Sequence, residues 1–417
     1  MAEFDVVVLG GGPAGVHAAL AAASAGLNVA LFDENASAGG QVYRAPIEGM
    51  RAASSADQQA GDVLRRELTA STVTTFFAHS VWAVTGDYRI DATGPNGPVH
   101  CMARALIVAS GTTERVVPFE GWTTPGVIGL AAATILLKSQ GVLPGRSTLV
   151  AGCGPLLAAV AAKTLEGGGK VEAIADLAGT ADWARTLPAM LARPGLLRQG
   201  VDWWRTIKRA RTPRYGRHTI IRVEPADERL RATLAPCDAA GRPISGQRTT
   251  VLADCIAVGH GLTPATEITR LLRAKHRYSR AAGGWIAVAD QDGRTSRPLL
   301  YVAGDGAGIA GAAAAATHGV LAGLACALDL GAANPVRLTR GIGPARSAHR
   351  HAARFGHAMA NLMALRPGHV ESITPETIVC RCEDVTRAEI EAACDAGARD
   401  INQLKAWTRC GMGPCQG

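Results

Sequence analysis

Lysine is almost missing from this sequence: six of its 43 basic residues are lysines (Lys138, Lys163, Lys170, Lys208, Lys275 and Lys405), so arginine carries the net charge of +8. An arginine skew of this kind also accompanies GC-rich coding and requires no acidic ligand, which weakens the main argument for a nucleic-acid partner. Much of the excess lies in residues 183–217, where Trp203 and Trp204 interleave with cations. A helical insertion that packs on the body or on a partner protein is expected there, because Trp and Arg are enriched at such contacts. Long apolar runs are missing too. No stretch approaches the roughly 18 uninterrupted apolar residues of a membrane helix, and the Ala-rich run at 18–25 is short, so no transmembrane segment is expected. The first strand signal starts at Phe4, which leaves no room for a signal peptide. Ten cysteines could form a disulfide framework, but with no export signal and with Cys-x-Cys spacing they read as thiolate ligands in a reducing, cytoplasmic compartment.

What is present is alternation. At 417 residues and 47% apolar content, the chain can bury two or three cores. Short β-branched strands alternate with Ala- and Leu-rich helices, the pattern of parallel α/β architecture, and they do so twice. One unit runs from a strand at 5–9 through a helix at about 14–25 to a strand at 28–32, and a second starts at Ser147. Strand-like pieces between residues 78 and 109 predict an inserted meander, and strand signals return between 252 and 319. Residues 347–365 are helical in period, with their His and Arg residues expected on a solvated face. Pro367 and Pro375 punctuate a linker into a cysteine segment.

Gly10, Gly12 and Gly15 satisfy GxGxxG inside VVVLGGGPAG, between a strand and an alanine-rich helix. The glycines allow a tight turn, close approach of backbone to a pyrophosphate, and close packing of helix on strand. A dinucleotide is therefore expected along Gly10, Gly11, Gly12, Pro13, Ala14 and Gly15, its phosphates against free amides at the positive helix end. Asp33 and Glu34 follow at the distance where a carboxylate meets ribose hydroxyls. Two further segments favour FAD over NAD. LIVASG reconnects such a domain and ends in Ser110 and Gly111; TSRPLLYVAGD ends in Gly304 and Asp305, placed for the ribityl and phosphate portion. Gly40, Gln41 and Val81 complete the expected contacts, with Gln41 and His318 as the flavin-proximal side chains. In the second unit Gly152, Gly154, Pro155, Leu156 and Asp176 hold the corresponding positions. The third glycine is replaced by Leu157, which is expected to push the helix away or crowd the turn. Asp176 suits a ribose hydroxyl and disfavours a 2′-phosphate, so NADP is not expected.

These residues resemble the two-dinucleotide-binding-domain flavoproteins of the glutathione-reductase-like class. GGQVYR at 39–44, ERVVPFEGWTTPGV at 114–127, AGDGAGIAG at 303–311 and the terminal CRCEDVT with TRCGMGPCQG are similar to one subfamily. It comprises the large flavin subunits of opine oxidase, hydrogen cyanide synthase, D-hydroxyproline dehydrogenase and dye-linked L-proline dehydrogenase. The resemblance covers essentially the whole chain. It implies a complex in which an amino-acid-oxidase-like flavin subunit holds the amino-acid site, with a small ferredoxin-like subunit as a further member, while this chain takes part in electron transfer. In that subfamily the second pocket can hold another adenine nucleotide such as ATP, so NADH and ATP both stay open there. Some disulfide-linked relatives place a redox cysteine pair near where Gly39, Gly40 and Gln41 stand; this chain has none.

Cys380 and Cys382 sit where the strand-like residues 377–379 break into a polar turn, and residues 386–396 read as a helix with Thr386 as N-cap and Glu389 completing a capping box. Cys410 and Cys415 flank Gly411 and Gly413, whose backbone can wrap thiolates and offer amides to cluster sulfurs. Four thiolates also suit zinc. Cys-x-Cys with GMGPCQG resembles the bacterioferritin-associated-ferredoxin type of 2Fe-2S domain, which favours the cluster. In relatives of that type a further cysteine follows the position of Cys415, and the position of Cys410 is often not a ligand. Two sets stay open: Cys380, Cys382, Cys410 and Cys415 together, or three thiolates holding an incomplete, labile cluster whose fourth ligand falls past Gly417. Cys153 stands alone inside the second Gly turn, while Cys101, Cys237, Cys255, Cys326 and Cys394 read as small core residues.

The expected organisation is residues 1–120 with 252–335 as a discontinuous FAD-binding domain, 121–251 as a second dinucleotide-binding domain with a basic helical insertion at about 180–217, 336–375 as helix and linker, and 376–417 as the iron-sulfur segment. The functional expectation is an electron-transferring FAD and iron-sulfur subunit of a multi-subunit amino- or imino-acid dehydrogenase. No side chain is assigned a catalytic role, because hydride transfer to a flavin needs no acid or base when the substrate half-reaction sits elsewhere. The alternatives are a self-sufficient NADH-dependent reductase feeding its own cluster, and a nucleotide-binding scaffold.

Overall fold

The computed structural model describes residues 2–47 and 55–414. The chain divides into two compact units, one made of Met1–Thr113, Lys138–Gln140 and Leu262–Ala364, the other of Glu114–Leu137, Gly141–Gly261 and Leu365–Gly417. The helix Pro335–Leu362 thus belongs to the first unit and the cysteine segment to the second.

In the first unit, strand β1 (Ala2–Leu9) lies inside the sheet because its three valines are apolar toward both faces; Val6, Val7 and Val8 are fully buried. Helix α1 (Pro13–Ser24) starts on a proline, which lacks the amide a first helical residue would leave unpaired, and buries Ala18, Ala19 and Ala22. The chain returns as β2 (Val29–Asp33), then β3 (Thr74–Phe77), β4 (Ser80–Thr85), β5 (Arg89–Gly94) and β6 (Gly97–Val108). The spatial order is β3-β2-β1-β6-β5-β4, parallel from β3 to β6 and antiparallel through the β4–β6 meander. A late strand, Leu300–Val302, also pairs with β6 in parallel, Leu300 opposite Leu106. That pairing brings the Gly304–Asp305 turn to the carboxyl ends of β1 and β6, the edge at which open parallel sheets bind ligands.

Helix Ala312–Asp329 is long and apolar enough to cross a membrane by length and composition alone, with Thr317 and His318 interrupting its apolar run. It packs on α1 and on Pro335–Leu362, and Leu321, Ala322, Ala325 and Cys326 are fully buried.

The second unit is built on a five-stranded parallel sheet ordered Arg214–Gly216, Lys170–Asp176, Ser147–Gly152, Cys255–Gly259, Val127–Gly129, beside an antiparallel sheet of His218–Ala226, Arg229–Pro236 and Thr249–Ala253. The basic stretch forms the helices Thr180–Leu191 and Pro194–Arg209, but it closes as an edge strand and not as helix throughout. Ile207 is buried, Trp203 and Trp204 pack beside it, and the Arg214 guanidinium lies 4.6 Å over the Trp204 ring. The tryptophans are packing residues of the body.

Glu114 is half-buried at the start of helix Leu130–Ile135, where its carboxylate accepts from the Ala131 amide at 3.0 Å. Burial pushes its carboxyl up to about 7, against the downward pull of the Ala131 and Leu130 amides. The raised value means that Glu114 favours the folded state while protonated, below the unfolded pKa of 4.5, and loses that contribution as pH rises through about 7. Glu114→Gln is expected to flatten this dependence: between pH 5 and 8 the parent should lose on the order of 2 kcal/mol more stability than the variant. Melting curves at the two pH values check it, and parallel profiles would refute it.

The cysteine segment opens with Ile378–Cys380 pairing antiparallel to Val385–Thr386. The Thr386 hydroxyl accepts from the Glu389 amide at 3.3 Å and the Glu389 carboxylate accepts from the Thr386 amide at 2.7 Å, so the capping box forms as its sequence predicts. The segment is tied to the body by Trp122, whose indole donates to the Ile378 carbonyl at 2.6 Å. The Arg381 guanidinium lies 4.7 Å over the same ring and donates to the Trp122 carbonyl.

Candidate functional site

The first turn is built as a phosphate cradle. A Cβ on Gly10 would overlap the Ala109 carbonyl, and one on Gly15 would overlap the Gly10 carbonyl oxygen, so helix and strands meet backbone to backbone. The first intrahelical bond of α1 runs from the Val16 amide to the Gly12 carbonyl at 3.0 Å. The amides of Ala14 and Gly15 stand ahead of it and face outward as anion donors. Gly12 is extended, and the nearest atom to a Cβ there would be Gly40 Cα at 3.8 Å, so its outer side is open.

The acid at the end of β2 is Asp33. One carboxylate oxygen accepts from the Gly11 amide and the other from Asn35 N and Asn35 Nδ2, both at 2.7 Å. Its neighbour Glu34 is exposed, so Asp33 is the carboxylate the fold positions. Asp305 accepts from the Ala310 and Gly311 amides at 2.9 Å. Burial raises its carboxyl, and those two amides pull it back. Ser110 donates to the Ala265 carbonyl at 2.8 Å, which shapes the strand exit beside Gly111. The cradle, the ribose-side acid and the Gly304–Asp305 turn are therefore all present in one unit and fit FAD.

Three further sequence candidates have protein partners of their own. Gln41 is exposed and its side-chain oxygen accepts from Arg44 at 3.2 Å. Val81 pairs with Ala92 and packs on the sheet core. His318 is buried and its Nδ1 accepts from the Gly304 amide at 3.2 Å, so it braces the turn.

The second turn departs from the first at one residue. Gly12 has φ −74° but Gly154 has φ 100°, a conformation that favours glycine. Leu157 is buried in a core with Leu130, Val150 and Ile174. Asp176, also buried, already has donors from its own chain: the Ala178 amide, the Trp183 indole and the Arg214 guanidinium, each at 2.9 Å.

Residues after the first unit's last helix close the same edge. Arg366 is 8% exposed, contacts Asp182 and the Ala239 carbonyl at 3.4 Å each, and shares Asp182 with Arg217 at 2.9 Å. The Gly368 amide donates to the Ala240 carbonyl, and the His369 ring meets the His260 ring edge-on at 5.2 Å. The cavity left beside Gly152 and His260 has a volume of about 10 Å³, no more than a single water needs. Cys153 in this turn is buried, which pushes its thiol up to about 12 despite the nearby Arg366, so it is inert. Neither Trp183 nor Arg366 was assigned to this site from sequence; the only signal was an indole and a cation in polar surroundings.

At the third candidate site, Cys380 and Cys382 bring their sulfurs to 3.7 Å. The Gly411 amide donates to the Cys380 sulfur at 3.3 Å, and a Cβ on Gly413 would come within 2.6 Å of the Cys382 sulfur, so the glycine loop wraps the pair as expected. Burial raises the Cys380 thiol, and amides of Gly411 and Glu383 outweigh it, leaving the group below its usual value. Among the described residues no third His, Cys, Asp or Glu joins the pair, and Cys415 lies outside them. Two sulfurs with amide donors fit one side of an iron-sulfur cluster. Of the lone cysteines, Cys101, Cys237, Cys255 and Cys326 are buried as expected, Cys153 is buried too, and Cys394 is exposed on helix Arg387–Asp395.

Fold and cradle together define a flavin-dependent oxidoreductase with an appended 2Fe-2S domain. Residues 4–184 match the family described as pyridine nucleotide-disulphide oxidoreductase, and residues 378–417 match the BFD-like [2Fe-2S] binding domain. The chain belongs to the family that holds the A component of opine oxidase and the HcnB component of hydrogen cyanide synthase. It is 33% identical to the opine oxidase component of Agrobacterium tumefaciens (strain Ach5) over 432 residues, covering 99% of this chain and 83% of that one. It is likewise 33% identical to HcnB of Pseudomonas aeruginosa over 427 residues, covering 99% and 89%. Among solved structures, L-proline dehydrogenase from P. horikoshii shares the fold at a TM-score of 0.66 and 20% identity, covering 100% of this chain and 71% of that one. Both curated relatives are named as subunits, so the family is one of multi-subunit enzymes.

Proposed function

We propose that this chain is the electron-carrying member of a complex that dehydrogenates an amino or imino acid, with the amino-acid site on an amino-acid-oxidase-like flavin subunit, next to which stands a small ferredoxin-like one. The observation that carries the reading is the combination of an open FAD cradle at Gly10–Gly15 with a nucleotide edge in the second domain that is filled by its own side chains. The relatives' names supply the substrate class. Bound FAD supplies two-electron acceptance and one-electron release, and the cluster supplies one-electron transfer.

The chain's own residues bind and orient. The Ala14 and Gly15 amides hold the pyrophosphate, Asp33 the ribose, and Asp305, with Gly304, Ser110, Gly111 and Gly40, the ribityl end. His318 acts as a positioning residue through Gly304. Cys380 and Cys382 hold one side of the cluster, with Cys415 and either Cys410 or a later residue completing it. The second domain serves as a structural support, since Asp176 is engaged by Trp183 and Arg214 and Arg366 lies over the same edge. We place the complex in the cytoplasm, where its thiols stay reduced.

NADH is therefore expected not to bleach the flavin of the purified chain under anaerobic mixing, while a proline-like or opine-like amino acid bleaches it once the partner subunit is added. Prompt bleaching by NADH alone would replace this reading with a self-sufficient reductase. Metal analysis that returned zinc and no iron would remove the cluster from it.

A further inference from the structure

A cavity of about 400 Å³ lies in the first unit, between the loop after Asp305, helix Ala312–Asp329 and helix Pro335–Leu362. Its volume is within the range of small-molecule sites, roughly 300–1,000 Å³. Gly304, from the turn assigned to the ribityl end, borders it, but none of the residues of the Gly10–Gly15 cradle lines it. His349, His357 and Asn361, spaced by eight and four, share one face of their helix and open onto it, and the buried His318 faces His349 with ring centroids 4.8 Å apart. Arg350, His351, Arg354 and His357 are exposed, as a solvated face predicts, and His349 alone is partly buried, where helix Pro335–Leu362 lies on its neighbour.

Hydrogen bonds fix the tautomers of the two facing rings. The Gly304 amide donates to His318 Nδ1 at 3.2 Å, so the neutral ring carries its proton on Nε2 and can donate. His349 Nδ1 lies 3.1 Å from the Ala314 carbonyl, which can only accept, so that ring is protonated on Nδ1 and leaves Nε2 as an acceptor. Burial keeps both rings uncharged: it pushes His318 down to about 4, helped by His349, and it lowers His349 as well. Asn361 adds an amide that both donates and accepts. Ile309 gives the wall an apolar part. Arg277, exposed on strand His276–Ser279, also lines the cavity and has no ion-pair partner among the described residues.

A carboxylate needs donors and an ammonium or imino N–H needs acceptors, and this wall offers both without a net charge of its own beyond Arg277. We propose that the cavity binds a small zwitterionic amino or imino acid, its carboxylate on Arg277 and the His318 donor, and its nitrogen on His349 Nε2 and the Asn361 oxygen. The site is separate from the amino-acid site of the proposed complex, which lies on another chain, and does not depend on that chain's existence.

Calorimetric titration of the purified full chain tests it, with L-proline, D-proline and glycine as probes, and acetate and pyrrolidine as probes carrying half of the chemistry each. At least one amino acid should bind, with acetate and pyrrolidine at least about tenfold weaker. Arg277→Gln, on the exposed strand, and His349→Phe should each weaken that binding by about tenfold or more at an unchanged melting temperature. If His349→Phe lowers the melting temperature, Arg277→Gln decides alone. Absence of amino-acid binding, acetate binding as tight as the amino acid, or binding untouched by Arg277→Gln each overturns the proposal. None of these outcomes involves a second chain, so failure here is distinguishable from failure of the dehydrogenase reading.

Discussion

Gly15→Ala is expected to give a folded chain that purifies without FAD. The added Cβ would overlap the Gly10 carbonyl oxygen and lie 3.3 Å from Ala109 Cβ, so the collision is with main chain that has no rotamer to change. Overpacking of an ordinary core costs about 1–3 kcal/mol. Here the strain is relieved only if α1 lifts from the strand turn, which carries the Ala14 and Gly15 amides away from the pyrophosphate. A loss of about 2.7 kcal/mol in cofactor affinity is a hundredfold. Visible flavin absorbance per chain should fall below about one-tenth of the parent value at micromolar protein. Gly195→Ala is the matched control: it meets nothing within 4 Å and sits in a helix, so it should keep its flavin. Full flavin content in Gly15→Ala would move the cofactor away from this cradle.

Cys380→Ser and Cys382→Ser should each strip the iron from the chain and leave the flavin in place. The two sulfurs are adjacent and share the Gly411–Gly413 loop, Cys380 ending one strand of an anchored pair and Cys382 in the turn that follows it, so loss of either leaves the other without a geometric partner. Iron per chain is expected below about one-tenth of the parent, with loss of the cluster's visible absorbance and of transfer to an external acceptor. Cys394→Ser, on an exposed helix position, is the control and should retain iron. Cys410→Ser then chooses between the two ligand sets, since only one of them loses its iron with that residue. Undiminished iron in both Cys380→Ser and Cys382→Ser would exclude the cluster from this segment.

The first βαβ unit could be read from the chain because its determinants are local: a valine run, three glycines and an acid lie within about thirty consecutive positions, and each constrains its own backbone. The capping box at Thr386 was legible for the same reason. The second unit was legible as a fold and misleading as a site. Its glycines stand in the right places, but Leu157, at the third glycine position, belongs to a core with Leu130, Val150 and Ile174 from other elements. The partners of Asp176 stand seven and 38 positions away, at Trp183 and Arg214. Arg366 is further still. Helical period assigned His349 to solvent because it knows only one helix; the neighbouring helix decides what that face meets. Contacts of this kind are set by tertiary packing, which a pattern along one chain does not contain.

The tie between Trp122 and the cysteine strand gives the molecule a gauge of its own. An indole bonded to the Ile378 carbonyl is pinned under Arg381, the residue between Cys380 and Cys382. Its emission would be quenched by bound iron and would brighten as iron leaves. In a variant that keeps Trp122 as its one tryptophan out of the seven, assembly and decay of the metal centre can thus be followed by light from a residue that takes no part in holding it, without any added dye.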